Sequence, residues 1–217
     1  MYFKDRTEAG IKIAARLIQY KGQHVSVVGL SPGGALVGLQ IAEVIHANLM
    51  LLLTENINLP GEPIPIGAIA SDDTMTYNSL FSVGEIEEFN LDYYTYIEQE
   101  RMNKIHNLHL IQGKTGEIKR EYLKRHIIIL TSDGLNSGFS IDVAVNYLKT
   151  VSVKRLVVVA PFATAEAYDR MRLLADEAIC LNIVDNYMGS DHYYDKNVIP
   201  EVSKLLDLGE NVSMLWK

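Results

Sequence analysis

Two segments of this chain join a β-branched apolar run to a helical pattern through glycines, and they constrain the fold more than anything else in it. Val25–Leu30 runs into Ser31-Pro32-Gly33-Gly34 and then into the apolar spacing of a helix over Ala35–Ile45. Ile127–Leu130 runs into Thr131-Ser132-Asp133-Gly134-Leu135-Asn136-Ser137-Gly138-Phe139-Ser140 and then a helix over Ile141–Lys149. Further short apolar runs at Ala47–Leu53, Leu156–Ala160 and Ala178–Ile183 read as strands, and residues 7–20 and Thr164–Ala175 as amphipathic helices. Strands joined through helices pair in parallel and are covered on both faces. The expected fold class is therefore α/β, with a mainly parallel central sheet and helices on both faces. Pro60, Gly61, Pro63, Pro65 and Gly67 predict a loop over 54–70 around Ile66–Ala70, and 84–105 reads as a helix. After Asn186 the tail is aromatic and polar, with Tyr187, His192, Tyr193 and Tyr194.

The 217 residues suit one domain spanning 1–217, and 48% hydrophobic with 22% charged residues is a globular composition. Against 20 Lys and Arg stand 27 Asp and Glu, and a net charge of −7 disfavours a nucleic-acid surface. The short basic stretch Lys119-Arg120 to Lys124-Arg125 reads as a solvated turn. Every unbroken apolar stretch is too short to cross a bilayer, so no membrane partner is expected. Lys4, Asp5, Arg6 and Glu8 fall where a signal peptide needs its apolar core, which makes a cytoplasmic location the expectation. Cys180 stands alone in an apolar run and reads as a buried, inert thiol. The six histidines lack ligand spacing, and Asp72, Asp73, Glu85, Glu87 and Glu88 read as solvated charges, so no metal site is expected from the protein alone.

In an open parallel sheet ligands collect at the carboxyl ends of the strands, where both glycine-containing turns fall. A helix start offers unpaired N–H groups and a positive dipole end, which suits phosphate. Successive N–H groups from Asn136 to Ser140, with the Ser137 and Ser140 hydroxyls, form such a cradle. The plainer alternative is a helix capped by Asn136 or Ser137. The first turn also fits G-x-S-x-G, the nucleophile elbow of α/β-hydrolases, with Ser31 as nucleophile and Asp185 and His192 in order behind it. An elbow draws an oxyanion donor from the residue after the serine, and here that residue is Pro32, which has no N–H.

The segment 131–140 resembles VDDGIATGAT, the phosphoribosyl pyrophosphate (PRPP) loop of the type I phosphoribosyltransferases, with Asp133, Gly134, Ser137, Gly138 and Ser140 matching by identity or hydroxyl type. The resemblance continues in order along most of the chain. FKDRTEAGIKIAARL at 3–17 resembles FxDRxxAGxxLAxxL of small bacterial members, and VVGLSPGGALVGLQIAEVI at 27–45 their strand-PRGG-helix segment. Pro60-Gly61-Glu62-Pro63 with Ile66–Ala70 resembles PGNPExAIGAVA, and 157–181 resembles VVVAPVAPPEAxxRLxxxADExVCL. The resemblance implies the type I phosphoribosyltransferase fold, with a small hood from about 184–217 and the N-terminal segment. It implies a phosphoribosyl or nucleotide ligand, and transferase chemistry in nucleotide metabolism that displaces pyrophosphate from ribose C1. Mg2+ is implied only together with PRPP, and the family-based expectation for assembly is a homodimer.

Carried over residue by residue, Asp133 is the catalytic carboxylate holding the ribose hydroxyls. Ser132, Gly134 and Leu135 flank it, Asn136, Ser137, Gly138, Phe139 and Ser140 hold the 5′-phosphate, and Ser31, Pro32, Gly33 and Gly34 hold the pyrophosphate. The chain departs from the pattern at Ser132, where the family has a second acid, at Pro32, where it has arginine, and at Glu55 and Asn56, where it has a basic pair. These losses weaken a PRPP site, since charge-assisted contacts contribute about 1.5–3 kcal/mol each. Two functions therefore stand: a phosphoribosyltransferase, and a non-catalytic binding or regulatory protein that keeps the fold. The family's pyrophosphate loop carries a cis peptide bond at the position of Pro32, which predicts a cis Ser31–Pro32 bond. Because Pro32 cannot donate to an oxyanion, a fluorophosphonate probe should leave Ser31 unlabelled by mass spectrometry; stoichiometric labelling would restore the hydrolase reading.

Overall fold

The computed structural model describes residues 2–112, 118 and 120–215. Five strands form one parallel sheet in the order β2-β1-β6-β7-β8: β1 (Val25–Gly29), β2 (Asn48–Leu51), β6 (Ile127–Thr131), β7 (Arg155–Ala163) and β8 (Glu177–Ile183). The period-2 geometry of a strand divides its side chains between two faces. Val27, Ile127, Ile129, Val157 and Val159 meet α1 (Arg6–Ala14), α2 (Pro32–Ile45) and Val212 of α7 (Val202–Leu215). Val28, Ile128, Leu130, Val158 and Ala160 meet α5 (Phe139–Leu148) and α6 (Ala165–Leu174) on the opposite face. The expected α/β class with helices on both faces is what the chain adopts.

Two segments differ from expectation. The proline-rich loop over 54–70 contains two strands, β3 (Thr54–Ile57) and β4 (Gly67–Ala70), which with β5 (Met75–Tyr77) make a separate antiparallel sheet. These strands are three or four residues long, too short for alternation to show against their Pro and Gly punctuation. The helix expected at 84–105 is two, α3 (Val83–Asp92) and α4 (Tyr94–Gln112). Ser82 and Glu85 form a reciprocal capping box at the start of α3. At the carboxyl end of the chain, α7 packs against β2 and α2, leaving residues 186–197 to cover the carboxyl end of β6 together with the N-terminal segment. There Phe3 bridges Tyr194, and Phe3, Phe162, Tyr193 and Tyr194 form a buried aromatic cluster. No helix among the described residues is long and apolar enough to cross a membrane.

The first turn also corrects an expectation. Among the described residues there is no cis peptide bond, so Ser31–Pro32 is trans. Pro32 is the first residue of α2, where its fixed φ suits the helix and its missing N–H would have had no helical partner. Ser31 caps the helix by accepting from the Gly34 N–H at 2.8 Å.

Helix α1 lies so close to α2 that a Cβ on Gly10 would sit 2.6 Å from the Val37 carbonyl oxygen and 2.8 Å from Gln40 Cβ. Helix propensity alone favours Gly10→Ala by about 0.8–1.0 kcal/mol. The overlap with a backbone carbonyl opposes it and costs about 1–3 kcal/mol. Gly10→Ala should therefore lower the urea midpoint at unchanged slope; a raised midpoint would show that the helices separate freely.

Candidate functional site

Because β1 and β6 are parallel neighbours, both glycine turns emerge side by side at one end of the sheet. Leu30 N–H donates to the Thr131 carbonyl at 2.9 Å, and Thr131 Oγ1 donates to the Gly34 carbonyl at 2.9 Å. Thr131, Ser132 and Asp133 are buried polar residues, at 0%, 4% and 6% exposure. Their bonds must therefore be made within the protein.

Asp133 makes them with residues far apart in sequence. Its Oδ2 accepts from Arg6 Nε at 2.8 Å and lies 2.8 Å from Arg6 Nη2; its Oδ1 accepts from the Ser31 hydroxyl at 2.9 Å. The Asp133 backbone carbonyl accepts from the Tyr194 hydroxyl at 2.7 Å. Arg6 is itself 3% exposed and donates further to Asp191 Oδ1 at 2.6 Å and Asn197 Oδ1 at 3.2 Å, with its Cζ 4.5 Å from the Tyr194 ring centroid. Burial opposes the Arg6 charge, but the bond to Asp191 and the Asp133 charge outweigh it and raise its pKa. Tyr194 is held well above the ordinary phenol range, first by burial and then by the Asp133 charge, so it acts as a neutral donor. Arg6 stands within the sequence FKDRTEAG, yet its charge in an amphipathic helix start marks it as surface; only the buried partner 127 positions away shows otherwise.

The Ser31–Gly34 turn packs directly on this pair. A Cβ on Gly33 would lie 2.0 Å from Asp133 Oδ2 and 2.7 Å from Arg6 Nε, so no other residue fits there without moving the carboxylate. Ser31 is bonded to Asp133 and to the Gly34 N–H, while His192 Nε2 lies 2.9 Å from the Tyr2 hydroxyl, so the two do not form a nucleophile–base pair. Ser132 turns back on its own loop: its hydroxyl accepts from the Gly134 N–H at 3.2 Å and donates to the Gly134 carbonyl at 2.9 Å.

Residues 134–140 line a cavity of about 250 Å³ with Val143 and with Thr54, Asn56, Pro65 and Ala68 from the antiparallel sheet and its connection. Gly138 caps α5 through its backbone, without a side-chain bond. Leu135 N–H is taken by the Phe162 carbonyl at 3.0 Å and Phe139 N–H makes a long 3.4 Å contact to Ser137 Oγ. Those of Asn136, Ser137, Gly138 and Ser140 take no protein acceptor among the described residues. Thr54 and Asn56 face the cavity because they are two apart on β3. Glu55, expected to oppose an anion there, points the other way, with Oε2 3.6 Å from Lys104 Nζ on α4. Of the aromatic tail, Tyr193 and Tyr194 are 7% and 3% exposed and pack in the cluster with Phe3 and Phe162. Tyr187 and Ser190, 2.6 Å apart, close over Gly134. Cys180 is half-buried rather than fully buried as expected, and what burial it has raises its thiol pKa.

Breaking a buried ion pair from one side strands the other charge and costs about 3–5 kcal/mol. Arg6→Ala should therefore lower unfolding free energy by about that amount, and Arg6→Ala with Asp133→Ala by clearly less than the sum of the two single losses. Additive losses in denaturant titrations would show that the pair is not coupled.

No family model matches the chain. Proteins of two Mycobacterium tuberculosis strains, CDC 1551 / Oshkosh and ATCC 25618 / H37Rv, each carry the name "Putative phosphoribosyl transferase" and are 26% identical to it over 186 residues. The match takes in 82% of this chain and 40% of each relative, so the chain spans less than half the length of the curated proteins it matches. A Thermus thermophilus protein of known crystal structure superposes with a TM-score of 0.73 at 23% identity, over 100% of this chain and 99% of that one. With the parallel sheet and its paired turns, the chain shares the α/β fold of the Thermus thermophilus protein and is similar in sequence to proteins named putative phosphoribosyl transferase.

Proposed function

We propose that the protein binds a phosphoribosyl compound or nucleotide, with its phosphate against residues 136–140 at the start of α5. The observation that carries this is the cavity itself, walled by the 134–140 backbone and leaving four N–H groups without a protein acceptor among the described residues. N–H groups at a helix start are aimed at an anion and act with the helix dipole. Ser137 and Ser140 add hydroxyls, and Thr54 and Asn56 add uncharged polar groups on the opposite wall.

The second reading is phosphoribosyl transfer from PRPP, supported by the names of the curated relatives and by Asp133 standing beside the loop. In that reaction the bond from ribose C1 to a pyrophosphate oxygen breaks, the electron pair leaves with pyrophosphate, and a nucleophile's pair closes on C1. The role of the chain's residues would be to hold the 5′-phosphate at 136–140 and to orient the ribose hydroxyls through Asp133. Magnesium would serve to neutralise the departing pyrophosphate. The side chains present do not fit a protein-held magnesium: both Asp133 oxygens already face the Arg6 guanidinium and the Ser31 hydroxyl. Among the described residues no three His, Cys, Asp or Glu side chains are grouped to hold a metal.

Calorimetric titration with ribose 5-phosphate should give saturable binding. Ser140→Asp, which sets a carboxylate in the cavity, should weaken it at least about tenfold, or roughly 1.4 kcal/mol. Binding that ignores Ser140→Asp would move the ligand elsewhere, and no heat with ribose 5-phosphate or a nucleoside monophosphate would overturn the reading.

A further inference from the structure

The turn between β6 and α5 is held in shape by a helix that follows later in the chain. Thr164, the cap of α6, takes two of the turn's carbonyls: its N–H donates to the Leu135 carbonyl at 3.0 Å, and its hydroxyl donates to the Asn136 carbonyl. Thr164 Oγ1 also accepts from the Ala167 N–H at 3.1 Å, which fixes the direction of the hydroxyl. Two carbonyl oxygens, which would repel an anion, are thereby taken up by α6.

Further along α6, Arg170 meets the same turn. A Cβ on Gly138, whose φ is 76°, would lie 3.0 Å from both Cβ and Cγ of Arg170, so the arginine stem packs on the residue that caps α5. Arg170 Nε donates to Asp142 Oδ1 at 2.8 Å, and its Nη2 donates to the same oxygen. Asp142 stands in the first turn of α5 with its side chain 12% exposed. A carboxylate there uses the same helix dipole as an anion bound at 136–140, and repels that anion partly through protein rather than water. A second cavity, of about 330 Å³, shares Ser137 and Phe139 with the first. Its charged lining residues are Asp142, Glu166, Asp169 and Arg170, three acids against one cation that stays charged at any working pH.

We propose that Arg170 is the positioning residue of the anion site at 136–140: its stem seats Gly138, and its guanidinium cancels the Asp142 charge so that the start of α5 can take a phosphate. This rests on the reading that 136–140 holds a phosphate, and adds to it the residue that sets the affinity. Arg170 is not among the residues that line the cavity beside 134–140, and it acts through Asp142 and the turn.

The test is calorimetry of ribose 5-phosphate on the full chain and on variants that break the same ion pair from its two sides. Arg170→Met keeps the stem and removes the charge, leaving Asp142 uncancelled, and should weaken binding at least about threefold. Asp142→Asn removes the opposing charge and should tighten binding by about threefold. Arg170→Met with Asp142→Asn should return the affinity to within about twofold of the unsubstituted chain. A pair that only braces the fold would lower affinity in both single variants. Weaker binding by Asp142→Asn, unchanged affinity in either single variant, or a double variant as weak as Arg170→Met therefore overturns the proposal. If Arg170→Met does not fold, Asp142→Asn decides alone: tighter binding supports the role of Arg170, and weaker or unchanged binding overturns it. Those outcomes leave the phosphate reading standing, since the unsubstituted chain still binds. No saturable heat from the unsubstituted chain overturns the phosphate reading and the role of Arg170 with it.

Discussion

Four stretches of chain that are far apart in sequence meet at the buried Arg6–Asp133 pair. The start of α1 supplies the cation, the β6–α5 loop supplies Asp133, the β1–α2 turn supplies the Ser31 hydroxyl, and the tail supplies Asp191 and Asn197. A guanidinium at 3% exposure cannot be left without carboxylate partners, because the cost of stranding it is comparable to a large part of a domain's net stability. The geometry of the site follows from that requirement. The carboxylate that the family resemblance assigns to ribose is drawn back against Gly33, and the tail residues 191–197 are held down over it.

The parallel register makes this meeting possible. Val25–Gly29 and Ile127–Thr131 pair in parallel throughout, so the turns that follow leave the sheet side by side at the same end. Hydrophobic burial on both faces holds that register: a slip of one residue would exchange Ile128 and Leu130 for Ile127 and Ile129 on the face that packs α5. The antiparallel sheet β3-β4-β5 adds the far wall of the cavity beside residues 134–140. Its one-residue alternation decides that Thr54 and Asn56 face the cavity while Glu55 goes to Lys104.

The two turns come from the same kind of sequence and are capped differently. Both follow an apolar strand and contain glycines, and both start a helix. At α5 the cap is the Gly138 backbone, and the N–H groups around it stay available. At α2 the cap is the Ser31 side chain, which accepts from the Gly34 N–H and donates its hydroxyl to Asp133, and the next residue is a proline.

The strand and helix sequence of the main sheet was legible in the chain, because runs such as Ile127–Leu130 and Leu156–Ala160 have no other way to bury themselves. So was the strand-to-helix turn over 131–140, whose glycines and hydroxyls mark it locally. Helix α7 was not, since its Leu205, Leu206 and Val212 find their partners on β2 and α2, and Gly209 approaches the Leu49 carbonyl, contacts that no local pattern states. The trans geometry at Pro32 was decided by the helix it begins rather than by the loop it resembles. What the sequence determined by itself was the α/β class and the places where strands turn into helices, both consequences of periodicity and capping within a few residues. Tertiary structure alone decided the partners of Asp133, because a buried carboxylate takes its bonds from whatever folding brings into contact with it, and here the cation lies 127 residues away.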